Sequence, residues 1–143
     1  MPGSYEGMGV AFLYPDSWVL ESDEEAGSVS VESPEGAFLS VTRCAGMEEA
    51  FDALERAVSA MGEEYDEVER EGVGKTIAGV ELTGSILRFV FLDLIVTSQL
   101  LVLDHAGEAY LVQIQAEDRD HDRLQVVFEA VLTSLCQHLN RPG

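Results

Sequence analysis

The sequence predicts an α+β fold: an antiparallel β-sheet of six to seven strands flanked by two main helices. Three observations predict it. Residues 79–116 form the longest apolar region of the chain, broken only by short polar turns. Two other stretches, 47–61 and 124–135, carry apolar residues at helical spacing. Most of the chain before residue 45 reads as short extended segments separated by turn residues, one of them strictly alternating, as half-buried strands do. With 143 residues, the chain is long enough for one domain with a substantial core, and residues 1–143 are read as that single domain.

The first strand expected is Val10–Tyr14, stopped by Pro15-Asp-Ser17, where proline presets the turn backbone. Trp18-Val-Leu20 reads as a short extended piece, with Trp18, the only tryptophan, as a core plug. Glu21–Glu25 reads as a charged loop closed by Gly27. Ser28–Ser33 alternates strictly, Ser33-Pro-Glu-Gly36 is a turn, and Ala37–Arg43 returns, which together make a hairpin.

Met47, Ala50, Phe51, Leu54, Ala57, Val58 and Met61 place one apolar stripe on a helix of about 15 residues. Glu48 and Glu49 suit its first turn, and Gly62 is its expected C-cap. Glu63–Glu71 holds six acidic residues, and its later part, Glu67–Glu71, reads as a charged edge strand. Gly72-Val-Gly74 is then read as a turn into the central sheet.

Ile86–Leu103 is long enough to raise the question of a membrane helix. Arg88 and Asp93 inside it, and its wealth of β-branched and aromatic residues, argue for strands instead. A turn or bulge near Asp93 divides it. Leu87, Phe89 and Phe91 fall on one face and Ile86, Val90 and Leu92 on the other, which predicts a strand covered on both sides. Asp104-His-Ala-Gly107 turns the chain into Glu108–Ala116, and a buried antiparallel meander results. Leu124, Val127, Phe128, Val131, Leu132 and Leu135 then mark a second helix, with Asp118 or Asp120 as its N-cap and Gln137–Gly143 as a frayed tail.

Charge bounds the function. The chain has 27 acidic and 8 basic residues, a formal charge of −19. Such a field repels phosphate backbones and anionic membranes and favours a basic partner. No nucleic-acid binding and no membrane insertion are expected. Met1–Met8 has neither a basic n-region nor an apolar h-region, so no targeting signal is read and the cytoplasm is the expected compartment. Cys44 and Cys136 sit in no paired motif and read as small buried hydrophobes.

Two motifs could carry chemistry. Gly72-Val-Gly-Lys-Thr76 looks like the end of a phosphate-binding loop, but Glu69 stands where a glycine is needed and strand residues follow. It is a glycine turn. Glu117-Asp-Arg-Asp-His-Asp122 is the best metal candidate, with Asp118, Asp120 and Asp122 in the alternation that calcium loops use. No glycine follows, and Glu129, at the closing position, already belongs to the helix, so a capped helix start accounts for these residues. His105, His121 and His138 have no zinc spacing, and no nucleophile elbow exists. No residue is assigned to catalysis, cofactor or metal, and the protein is expected not to be an enzyme.

The opening Gly9-Val-Ala-Phe-Leu-Tyr-Pro-Asp-Ser-Trp18, together with the order of hairpins, helix, meander and C-terminal helix, resembles the PsbP-like and Mog-like superfamily. Tyr110-Leu-Val-Gln-Ile114, the acidic segment after it and a helix ending Leu132-Thr-Ser-Leu135 fit the same pattern. The resemblance implies an α/β/α sandwich. It also implies a role in binding, chiefly of proteins, as in an extrinsic photosystem subunit, a Ran-binding nuclear factor and small chaperones for secreted effectors. The expected function is therefore a non-enzymatic protein-interaction module or small accessory chaperone. A small-ligand or calcium-binding domain using the acidic loop 117–122 is the alternative, and a homodimer through a sheet face or edge is compatible with either.

Overall fold

A computed structural model describes residues 2–139. The chain opens with β1 (Gly3–Gly7) and β2 (Val10–Tyr14), which pair antiparallel as a two-stranded sheet. β1 had no signature, because Tyr5 is its only apolar side chain. β3 (Val19–Asp23), β4 (Ser28–Glu32) and β5 (Phe38–Cys44) follow. β3 takes in Glu21, Ser22 and Asp23 of the expected charged loop; a strand at the rim of a sheet can carry Glu21 and Asp23 at little cost because neither is buried. The expected β4–β5 hairpin forms, with the Ser33 hydroxyl accepting from the Ala37 amide at 3.1 Å.

Helix α1 (Met47–Glu64) runs past Gly62, the expected cap, and ends at Tyr65, whose amide donates to the Met61 carbonyl. Glu49 reaches back to accept from the Ala45 amide at 3.1 Å, satisfying a backbone donor just ahead of the helix. Gly62 sits inside the helix with nothing within 4 Å of where a Cβ would stand. Gly62→Ala is therefore expected to stabilise the protein by about 0.5–1 kcal/mol. Urea denaturation checks this, and a loss of stability would mean the helix does not continue through residue 62.

β6 (Glu69–Ile77), β7 (Val80–Phe91), β8 (Leu94–His105) and β9 (Glu108–Glu117) form the expected meander. Gly72-Val-Gly74 is not a turn but lies within β6, and Glu67 falls in the connection before it. The turns are instead the two-residue links Ala78-Gly79, Leu92-Asp93 and Ala106-Gly107, all at positive φ, as mirror-image hairpin turns require. Helix α2 (Asp118–Leu139) starts directly after β9, so the expected frayed tail is helical through residue 139, and residues 140–143 lie outside the described part.

The larger sheet has seven antiparallel strands in the order β3-β4-β5-β9-β8-β7-β6. Register carries Leu101, Val112, Val41 and Val29 across one face, where α2 and β2 cover them. Leu87, Leu100, Val102 and Leu111 lie on the other, beneath α1. This is the α/β/α sandwich. Trp18 plugs the α2 side as expected, edge-to-face with Phe128 at 5.5 Å. Tyr110 ties the small sheet to the large one: its hydroxyl donates to the Met8 carbonyl at 2.9 Å. Burial, with Glu108 alongside, pushes that hydroxyl up to about 12, so it keeps its proton.

Candidate interaction surface

The long, both-faces-apolar strand pair does not stay covered to its end. β7 and β8 run beyond their neighbours and close at Leu92-Asp93, with Phe91 opposite Leu94 and Val90 opposite Ile95. β6 pairs no further along β7 than Arg88. Val90 is 53% exposed, Phe91 48%, Leu92 78% and Ile95 49%. The expectation that Val90, Phe91 and Leu92 are buried is thus corrected. The pattern was right for strands, but no layer reaches the hairpin tip.

The tip is held from one side by aromatic packing. Tyr65, just past the end of α1, stacks on Phe89 at 4.2 Å and meets Phe91 edge-on at 5.7 Å. Phe89 is buried. Pairs of this kind add about 0.5–1.5 kcal/mol beyond the area they bury, so the base of the hairpin is fixed while its end projects. Around it stand exposed carboxylates: Glu63, Glu64, Asp66 and Glu67 flank Tyr65, and Asp93 is in the turn itself. Arg88 is the cation nearest along β7, already facing Glu71 at 3.9 Å.

The residues singled out from sequence go elsewhere. Glu117 ends β9 and Asp118–Asp122 form the start of α2, so the acidic segment is not a loop. Three of its four carboxylates are engaged separately: Asp118 accepts from the Thr97 hydroxyl at 2.8 Å, Glu117 faces Arg119 and Asp120 faces Arg123. Among the described residues no three His, Cys, Asp or Glu gather as a metal site. His105 ends β8, His121 lies in the first turns of α2 and His138 in its last. Cys44 and Cys136 are both buried and free, in the clusters on opposite faces of the sheet. Burial holds the Cys136 thiol up at about 11, and burial with Glu49 nearby raises Cys44 as well. Gly72–Thr76, within a strand and with no helix after it, cannot cradle a phosphate.

One open cleft of about 410 Å³ lies between β1, β2 and the end of α2, where Tyr5, Glu6, Phe12, Gln137 and His138 line it. Its lining is mixed, with Ser4 and Ser134 also at its wall, and the Ser134 hydroxyl is already engaged, accepting from the Leu13 amide at 3.0 Å and donating to the Val131 carbonyl at 2.7 Å. No helix among the described residues is long and apolar enough to cross a membrane.

No protein-family profile matches the chain, and no characterised protein matches it by sequence. Solved structures do match by shape. Cyanobacterial PsbP (CyanoP) from Synechocystis sp. PCC 6803 superposes with a TM-score of 0.67 at 18% identity, over 93% of this chain and 90% of that one. A protein of unknown function from Pseudomonas aeruginosa gives 0.58 at 12% identity over 99% of both chains. The Ran-binding protein Mog1p of Saccharomyces cerevisiae gives 0.54 at 10% identity, over 97% and 92%. The fold is the one seen in PsbP and Mog1p, as the sequence resemblance implied.

Proposed function

We propose that this chain, with its PsbP/Mog-like fold, is a non-enzymatic accessory module that binds another protein through the β7–β8 hairpin tip. The observation that carries the reading is the cluster of Val90, Phe91, Leu92 and Ile95, each about half exposed or more, on a base fixed by Tyr65 and Phe89. The four lie within six residues at one hairpin tip, on both of its faces, and a concentration of exposed apolar surface marks contact sites. A neighbour of the same fold is described as Ran-binding, which supports a protein partner as the class.

The carboxylates around the tip add a charge requirement. A segment with apolar side chains flanked by Lys or Arg fits both the tip and its rim, and the net charge of −19 steers such a partner in. Truncating the central apolar contact of an interface costs about 2 kcal/mol or more, roughly a 30-fold loss of affinity. The double variant Phe91→Asp/Leu92→Asp is expected to lose the partner by at least about that factor. Val126→Asp is the control, since Val126 is equally exposed, on α2, and not part of the tip. Capture from lysate of the source organism on each immobilised protein, at low and high salt, measures this. Unchanged retention on the tip variant contradicts the reading. Retention that ignores salt removes only its electrostatic part, because exposed charges are screened within about 8 Å at physiological ionic strength.

A further inference from the structure

The seven-stranded sheet has two free edges, β3 and β6, and they differ in charge. β3 carries Glu21 and Asp23 with no cation, and Glu24 and Glu25 follow it. Two β3 strands paired antiparallel about Glu21 would set that carboxylate against itself, and like charges directly opposite are destabilising. β6 carries Glu69 and Glu71 against Arg70 and Lys75, so this strand is neutral in a chain of charge −19.

The charges of β6 are also symmetric. Glu71 and Lys75 stand two residues either side of Val73 and on the same face of the sheet, opposite Ile86 and Leu82 of β7. Two β6 strands paired antiparallel about Val73 set Glu71 against Lys75 of the second copy, and Lys75 against its Glu71. Gly72 then faces Gly74, Arg70 faces Thr76, and Glu69 faces Ile77. A two-fold contact is self-complementary in this way, each pair occurring twice.

The present partners of these two side chains lie inward, on β7 and β8, so each exchanges a partner within its own sheet for one on the second copy. Glu71 faces Arg88 only at 3.9 Å, and Lys75 donates to Gln99 at 3.2 Å. On the opposite face of the strand, Gly72 is bare: a Cβ there would meet nothing within 4 Å, and one at Gly74 only the Leu82 carbonyl at 3.9 Å. No side chain at those positions obstructs an incoming strand.

We infer that β6 is the contact between two copies of this chain, joined antiparallel about Val73 into one continuous sheet. The pairing is independent of the hairpin tip, because β7 from Val90 onward extends past the end of β6 and stays uncovered.

Sedimentation of the whole protein tests this, with circular dichroism showing that each variant is folded. An edge contact of this size lies at the small end of interfaces, so a dimer is expected within roughly 10–500 µM. Glu71→Lys sets two ammonium groups against each other at both symmetric pairs, and Lys75→Glu sets two carboxylates against each other at both. Each variant alone should raise the dimer dissociation constant at least about tenfold. An equal mixture of the two variants should recover a dimer, one copy of each: one pair then joins two unaltered residues and the other joins the two substituted ones, opposite in charge. The double variant Glu71→Lys/Lys75→Glu should dimerise as the unaltered protein does. An unaltered protein that stays monomeric throughout that range overturns the inference. So do single variants that dimerise normally, or a mixture that does not recover.

Discussion

Gly84→Ala is expected to destabilise the protein by about 3 kcal/mol or more, among the largest effects of any single methyl added to this chain. Gly84 pairs with Leu101 in the β7–β8 ladder. A Cβ built on it would overlap the Leu100 carbonyl oxygen, and would stand 2.8 Å from the carbonyl carbon and 3.1 Å from the Leu101 Cα. These neighbours are backbone in the middle of the sheet, and Leu100 and Leu101 are fully buried, so no flexible group can swing aside. The two strands would have to part, in the ladder that carries the hairpin tip. For a chain of this length that loss corresponds to a fall in melting temperature of roughly 10 °C. Gly72→Ala is the matched control, because the same methyl there meets open space. A Gly84→Ala protein within about 0.5 kcal/mol of the parent would mean the strands do not approach so closely.

Trp18→Ala is expected to cost about 3–5 kcal/mol, the usual range for removing a large buried aromatic. Trp18 is 7% exposed and sits after the Pro15 turn, its amide donating to the Pro15 carbonyl at 3.0 Å. Its ring packs edge-to-face on Phe128 of α2, within the cluster that holds α2 and β2 to the sheet. Trp18→Phe should cost clearly less, since it keeps an aromatic ring against Phe128. Urea denaturation followed by circular dichroism measures both, as the alanine variant loses the only tryptophan signal. A small loss for Trp18→Ala would show that α2 is held without it.

Much of the fold is legible in the residues because burial imposes period. The alternation at Ser28–Glu32 and the 3.6 spacing at Met47–Met61 and Leu124–Leu135 each correspond to an element that packs along the marked face, although in α1 only Ala50 and Leu54 are buried and Phe51, read as part of the stripe, is 39% exposed. Errors fell where a local signal had two physical uses. Gly62 resembles a helix cap but lies inside α1, and Gly72 and Gly74 resemble a turn but extend a strand. The carboxylates of residues 117–122 resemble a ligand loop, yet the adjacent strand and helix leave no loop for them to form.

The candidate surface was hidden for a related reason. Apolar residues on both faces of Leu87–Leu92 indicate burial by something, and sequence cannot say whether that is the same chain or another protein. Only the register, with β6 ending opposite Arg88, shows that Val90, Phe91 and Leu92 stand past the covered part of the sheet, about half exposed or more. A signal was present in Asp66, Glu67 and Asp93: carboxylates close to an apolar run suit a rim better than a core.

Hydrogen exchange on the protein alone and with its captured partner tests the central claim most directly. Binding through the hairpin tip predicts new protection concentrated at residues 63–67 and 89–96, with α2 and the β1–β2 cleft unchanged. Protection centred on that cleft, with the Leu92-Asp93 turn exchanging as fast as before, would contradict the account.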